Sequence, residues 1–156
     1  MYRKILAPLD GSAFAECALD HVKAIALGCT VPEVVLLRVA EPIHSSDLAA
    51  YAEAGIDTAL LMRDVETGAQ VYISRMAEEM KKAGLTARGV VKTGWAADTI
   101  IKYAEENGVD LIIMSTHGRS GIGRWFMGSV ADKVVRHSKV PVLTVAPPGC
   151  RISPTA

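Results

Sequence analysis

The sequence predicts an α/β fold: an open five-stranded parallel sheet, in the order 3-2-1-4-5, with helices on both faces. Three observations carry this expectation. Five short apolar runs, at residues 3–8, 33–40, 86–92, 110–115 and 140–146, alternate with stretches whose apolar residues recur at helical spacing. The clearest of these runs are nearly continuous, without regular polar alternation, as expected of strands covered on both faces. Each intervening stretch is long enough to return the chain across the sheet as a crossover.

In chain order, RKILAP (3–8) ends at Pro8 and runs into Leu9-Asp10-Gly11-Ser12, a turn cluster that also offers a helix N-cap. Phe14, Cys17, Ala18, Val22 and Ile25 then recur at helical spacing, and Gly28 stands where a glycine would stop the helix. EVVLLRVA (33–40) is the second strand, rich in β-branched residues and leucine. Residues 41–57 hold Pro42, the polar His44-Ser45-Ser46-Asp47 and an alanine-rich piece with room for one or two helical turns. They read as a variable surface loop.

Over 58–83, Leu61, Val65, Tyr72, Met76 and Met80 share one helical face, with Arg63, Glu66, Arg75, Glu79 and Lys82 mostly elsewhere; Gly84 ends the helix. TARGVVK (86–92) is a weaker strand, followed by a Thr93-Gly94 turn. A helix with Ala97, Ile100, Ile101 and Ala104 inward comes next, closed by Asn107-Gly108. DLIIMS (110–115) is the clearest strand. After a glycine-punctuated loop, residues 129–137 form a helix with Val130, Val134 and Val135 inward, and VPVLTVA (140–146) is the last strand. One domain over 1–147 and a flexible tail over 148–156 are expected.

Bulk composition narrows the function classes. Lys+Arg and Asp+Glu are 17 each, so the formal net charge is zero and no global field draws the chain to nucleic acid or an anionic membrane. Any anion binding must be local. Cys17, Cys29 and Cys150 have no metal or CxxC spacing and read as reduced thiols. No apolar run approaches the roughly 20 residues of a membrane span, and the apolar start at residues 5–9 is too short for a signal peptide. A cytoplasmic protein is expected.

The chemistry concentrates in STHGRSGIGRWFMGSV (115–130), where a strand runs through glycines and two arginines, Arg119 and Arg124, into a helix N-terminus. Freed backbone amides, guanidinium groups and a helix dipole together suit an anion such as phosphate. Ligands of open parallel sheets bind where the strand order reverses, here between the strands ending at Asp10 and Ser115. A dinucleotide fingerprint fails, because Gly118, Gly121 and Gly123 give G-x-x-G-x-G after the fourth strand. A Walker A loop fails too, because Arg124 and Trp125 follow where Lys and Ser/Thr belong. Each residue also has a plain structural reading: Asp10 and Ser129 as N-caps, Gly118 and Gly128 as turn glycines, His117 as a loop-ordering side chain, Trp95 and Trp125 as packing or dimer-contact residues. Their joint placement at one switch point is what those readings leave unexplained.

Gly118, nine further residues and then Gly128-Ser129, preceded by Thr116-His117, closely resemble the G-2x-G-9x-G-(S/T) loop of ATP-binding universal stress proteins. The resemblance runs from KILAPLDGS through LLRVAEP to SKVPVLTVA, and it implies the adenine nucleotide α-hydrolase-like, or flavodoxin-like, doubly wound fold. Carried over residue by residue, it implies Asp10 at the ribose hydroxyls and Leu9 and Val39 lining the adenine pocket beside Pro8, with the Val39 backbone meeting the base edge. Met114 and Ser115 would flank the sugar, and Gly118, Gly128, Ser129 and Val130 would cradle the phosphates. Arg119 and Arg124 join them on spacing alone. The implied cofactor is ATP, or AMP or ADP, with Mg2+ held through the phosphates. The implied role is regulatory, by binding with at most slow hydrolysis, and no catalytic residue is assigned. A homodimer through the strand that begins at Val140 and ends at Ala146 is also implied. The first glycine of the family pattern falls on Ser115, where serine permits fewer backbone conformations. That departure keeps a second reading open, a dimeric interaction module that binds no nucleotide. A receiver domain would need an acidic pair after the first strand, and a flavodoxin would need its phosphate loop there; LDGSAF offers neither.

Overall fold

The computed structural model describes residues 1–117 and 127–146. Its elements are β1 (Lys4–Pro8), α1 (Ala13–Glu16), α2 (Ala18–Gly28), β2 (Glu33–Ala40), α3 (Ser45–Glu53), α4 (Thr58–Lys82), β3 (Ala87–Thr93), α5 (Ala96–Glu106), β4 (Leu111–Ser115), α6 (Ser129–His137) and β5 (Val142–Val145). The five strands form one parallel sheet in the order β3-β2-β1-β4-β5, as the sequence predicts. Consecutive strand residues point to opposite faces. In β1, Ile5 and Ala7 therefore enter the core that Val22, Ile73, Met76 and Met80 fill from α2 and α4, while Leu6 enters the opposite core with Ile100, Tyr103 and Val134 of α5 and α6. The central strands are buried on both sides, which is why β1, β2 and β4 read as continuous apolar runs.

Close approach of α4 to β3 depends on Gly89. A Cβ there would lie 2.9 Å from both the Cγ2 and the carbonyl oxygen of Ile73. The starts of β1 and β4 at the other end of the sheet are tied by Asp110, whose Oδ2 accepts from the backbone N–H of Arg3 (2.7 Å) and Lys4 (2.9 Å). Those two N–H groups, with Arg3 and the N-terminus nearby, hold the Asp110 carboxyl below its ordinary range.

Several expectations are corrected. Residues 41–57 are not a plain loop, because nine of them form α3. The signal was weak: α3 has no buried residue, so no apolar stripe marks it. The first helical stretch is two helices, with Ser12 capping α1 through an Ala15 N–H to Ser12 Oγ bond of 3.1 Å. Phe14 and Val135, expected inward, are exposed, as is Val65. Gly28 does not stop α2. The left-handed residue is Thr30 (φ 52°), with Val31 N–H bonding Ala26 O at 2.8 Å and Thr30 N–H bonding Leu27 O at 3.3 Å. The last strand is shorter than 140–146. Cys29 is a free, exposed thiol, but Cys17 is disulfide-bonded, so the reduced reading fails for Cys17. The expected tail, with Cys150, lies outside the described residues.

Candidate functional site

A cleft of about 550 Å³ opens at the carboxyl ends of β1, β2 and β4. Pro8, Leu9, Asp10, Val39, Met114, Ser115, Gly128, Ser129 and Val130 all line it. Gly118 and Arg119 lie outside the described residues, as do Arg124 and Trp125. The convergence follows from topology, since β1 and β4 are neighbours whose following chains leave on opposite faces.

One wall is the turn after β1. Asp10 Oδ1 accepts from Ser12 N–H (2.9 Å) and from Ser12 Oγ–H (2.6 Å), which fixes the carboxylate on the cleft. Ser12, not Asp10, is the N-cap of α1, so the capping reading does not account for Asp10. The opposite wall is the end of β4 and the start of α6. Ser115 is 6% exposed and pairs with Val145 in ordinary strand geometry. Its Oγ accepts from His117 N–H at 3.3 Å. Thr30 is the residue with positive φ among the described non-glycines, so the Ser115 backbone does not require glycine.

Gly128 joins the two ends of the glycine loop. Its N–H donates to Thr116 O at 2.7 Å, and a Cβ would stand 3.0 Å from that same oxygen. The Gly128 amide is thereby engaged inside the protein. The first intrahelical bond of α6 runs from Asp132 N–H to Gly128 O (2.9 Å), and no side chain caps the helix. The N–H groups of Ser129, Val130 and Ala131 are therefore the donors left at this helix start among the described residues, and all three residues line the cleft. Partial positive charge from the helix adds to them.

The floor and far end are apolar, built from Leu9, Leu37, Val39, Ile100 and Met114. Leu37 O accepts from Leu9 N–H (2.9 Å) and Ala40 O from Gly94 N–H (3.1 Å), so alternate residues of β2 face opposite neighbours. By that alternation the Val39 amide and carbonyl face the gap where β1 has ended. Arg38 Nη1–H donates to Val39 O at 2.9 Å, so that carbonyl is partly used. The sequence reading missed Arg38, although one charge inside an otherwise apolar EVVLLRVA was a visible signal. Thr116 was also missed. It is buried, its Oγ1 lies 2.9 Å from His117 Nδ1 and 3.4 Å from Val145 O, and it anchors both the loop and β5. Tyr72 on α4 donates its hydroxyl to Glu16 on α1 (3.0 Å), and its pKa is raised by burial first and by the Glu16 and Asp10 carboxylates next.

Among the described residues no group of three His, Cys, Asp or Glu is arranged to hold a metal, and no helix is long and apolar enough to cross a membrane.

The profile of the universal stress protein family matches residues 1–146. The chain belongs to the universal stress protein family. Universal stress protein MJ0577 of Methanocaldococcus jannaschii is 33% identical over 155 residues, covering 93% of this chain and 95% of the relative. A solved structure of MJ0577 superposes with a TM-score of 0.79 at 33% identity, covering 94% of this chain and 96% of that one. The same fold is shared with a universal stress protein solved in complex with cAMP (TM-score 0.63, 24% identity, 92% and 97% coverage). It is shared as well with an Arabidopsis thaliana family member solved with AMP bound (TM-score 0.59, 15% identity, 92% and 90% coverage).

Proposed function

We propose that this universal stress protein binds ATP, or AMP or ADP, in the cleft and acts as a nucleotide-dependent stress-response regulator, through binding more than turnover. The observation that carries the reading is the set of Ser129, Val130 and Ala131 N–H groups at the start of α6, unused by any described residue and facing the Asp10 carboxylate across an apolar-floored cleft. A helix N-terminus suits phosphate, and a carboxylate suits paired ribose hydroxyls. Leu9, Leu37, Val39 and Met114 suit a purine face, with the Val39 amide toward its edge. AMP and cAMP in structures of the same fold support an adenine nucleotide as the ligand class.

Asp10 takes the ribose, Pro8, Leu9 and Val39 the base, and Met114 and Ser115 the sugar, with Gly118 and Arg119 on the loop contributing to the phosphates. The role of Gly128 shifts from phosphate donor to spacer, because its N–H already serves Thr116 O. Mg2+ is carried by the phosphates. No lysine lines the described cleft, and hydrolysis is accordingly slow. A cytoplasmic location and a homodimer through β5 belong to the same reading.

Isothermal titration of the purified protein with ATP tests it. Saturable binding is expected in the native chain and its loss in Gly128→Val, whose Cβ meets the Thr116 carbonyl at 3.0 Å before any γ-carbon is added. Unchanged binding in that variant, or no adenine nucleotide binding in the native protein, would overturn the assignment. The latter outcome favours the interaction-module reading.

A further inference from the structure

We propose that α3 and the first half of α4 form a hinged cover for the cleft, pivoting at Gly68, which rests on the nucleotide reading above and adds how the nucleotide enters and leaves. α4 is 25 residues long, and its buried residues are Ala69, Ile73, Met76, Ala77 and Met80. Residues 58–68 contribute none, so this half of the helix extends past the packed core. α3 likewise has no buried residue and, among the described residues, packs closely against no other element. Val65, in the unpacked half of α4, nonetheless lines the cleft. The lightly packed start of α4 thus reaches the site through Val65.

The joints have the stiffness pattern of a cover. At the corner between α3 and α4 each helix end is satisfied locally. Gly55 (φ 69°) closes α3 with bonds from Gly55 N–H to Ala52 O (3.1 Å) and Ile56 N–H to Tyr51 O (2.9 Å), and Asp57 caps α4 through Ala59 N–H (2.9 Å) and Leu60 N–H (3.1 Å). Each helix is thus closed at the corner by its own bonds, and the short connection through Ile56 carries α3 along with the start of α4. Gly68 is the soft point: it sits inside a helix, where glycine is the poorest former after proline, and a Cβ there would meet nothing within 4 Å. Packing does not explain the missing side chain. Its neighbour Thr67 turns its Oγ1–H onto Arg63 O (2.8 Å), an interaction that favours helix bending at the same place.

Light contacts hold the cover to the body. Glu66 Oε1 accepts from Thr93 Oγ1–H at 3.0 Å on the surface. At the other joint, Glu41 Oε1 accepts from Ala96 N–H (3.1 Å) and the His44 ring lies 4.7 Å from that of Trp95. Exposed contacts of this kind are weak enough to break during exchange. Bending at Gly68 lifts Val65 away from the cleft; the straight helix returns it.

Hydrogen exchange of the full chain with and without ATP, together with stopped-flow binding of a fluorescent ATP analogue, tests the cover. ATP should slow exchange across 45–67 as well as at the Asp10 turn and the start of α6. Gly68→Ala favours the straight helix, so association and release should each slow about fivefold while affinity changes little. Protection of the Asp10 turn and α6 without protection of 45–67, or unaltered rates in Gly68→Ala, would overturn the cover and leave the nucleotide reading standing. No ATP-dependent protection anywhere would overturn both.

Discussion

Thr30 and Asp110 show how single positions carry more than their residue types announce. Thr30 holds a left-handed conformation (φ 52°) that a β-branched side chain tolerates poorly, whereas Gly84 (φ 88°) occupies the matching place after α4. Thr30→Gly should raise stability by about 1 kcal/mol, read as a higher urea midpoint with an unchanged slope. Asp110 anchors the starts of β1 and β4 through the Arg3 and Lys4 amides, which lower its pKa in the folded state. A depressed carboxylate contributes above its unfolded pKa and loses that contribution as pH falls through the folded value. Asp110→Asn should therefore cost about 1 kcal/mol at pH 7, with solvent screening already discounted, and the gap to the native chain should narrow as pH falls below the ordinary carboxylate range. Urea unfolding at several pH values checks this. An equal gap at all pH values would remove the charge from the explanation.

At the scale of elements, β3 and α4 are the informative pair. β3 is an edge strand with a mixed burial pattern, which is why its run looked weak in the sequence. Its Gly89 lets α4 settle until Ile73 is fully buried. Gly89→Val should lower stability by about 2 kcal/mol or more through overpacking against the Ile73 backbone, measured as a fall in Tm of several degrees. A shift near zero would mean that α4 can retreat from the sheet at little cost. The helices were legible where an apolar stripe faces the sheet, as in α5 with Ala97, Ile100 and Ala104. α3 was not, because helices without a buried face carry no periodic signal.

At the scale of the whole molecule, β5 forms one edge of the sheet, with Leu143 exposed and its outer backbone groups unpaired by any described strand. Apolar edges invite pairing with a second chain. If β5 forms the homodimer, light scattering at micromolar concentration should give twice the chain mass, and Leu143→Lys should move it toward the monomer. A native monomer would remove β5 from the interface. The opposite edge, β3, is partly screened by charge through Arg88, whose guanidinium bonds Glu33 at 2.7 Å.

The sequence by itself determined the sheet, its crossovers and the switch point, because burial on both faces leaves continuous apolar runs that survive in one dimension. Strand order set the Asp10 turn opposite the loop that begins at Ser115, the family resemblance added Val39, Met114, Gly128, Ser129 and Val130, and all of these line the cleft. Tertiary structure decided what those groups are free to do. That Gly128 N–H is already used while, among the described residues, nothing takes Ser129, Val130 and Ala131 N–H depends on where Thr116 O comes to lie. That Arg38 reaches Val39 O, and that Val65 leans over the cleft from an unpacked half-helix, depends equally on neighbours and packing that a linear pattern does not record. Apolar periodicity reports burial, whereas the free valence of a polar group is set by its neighbours in space.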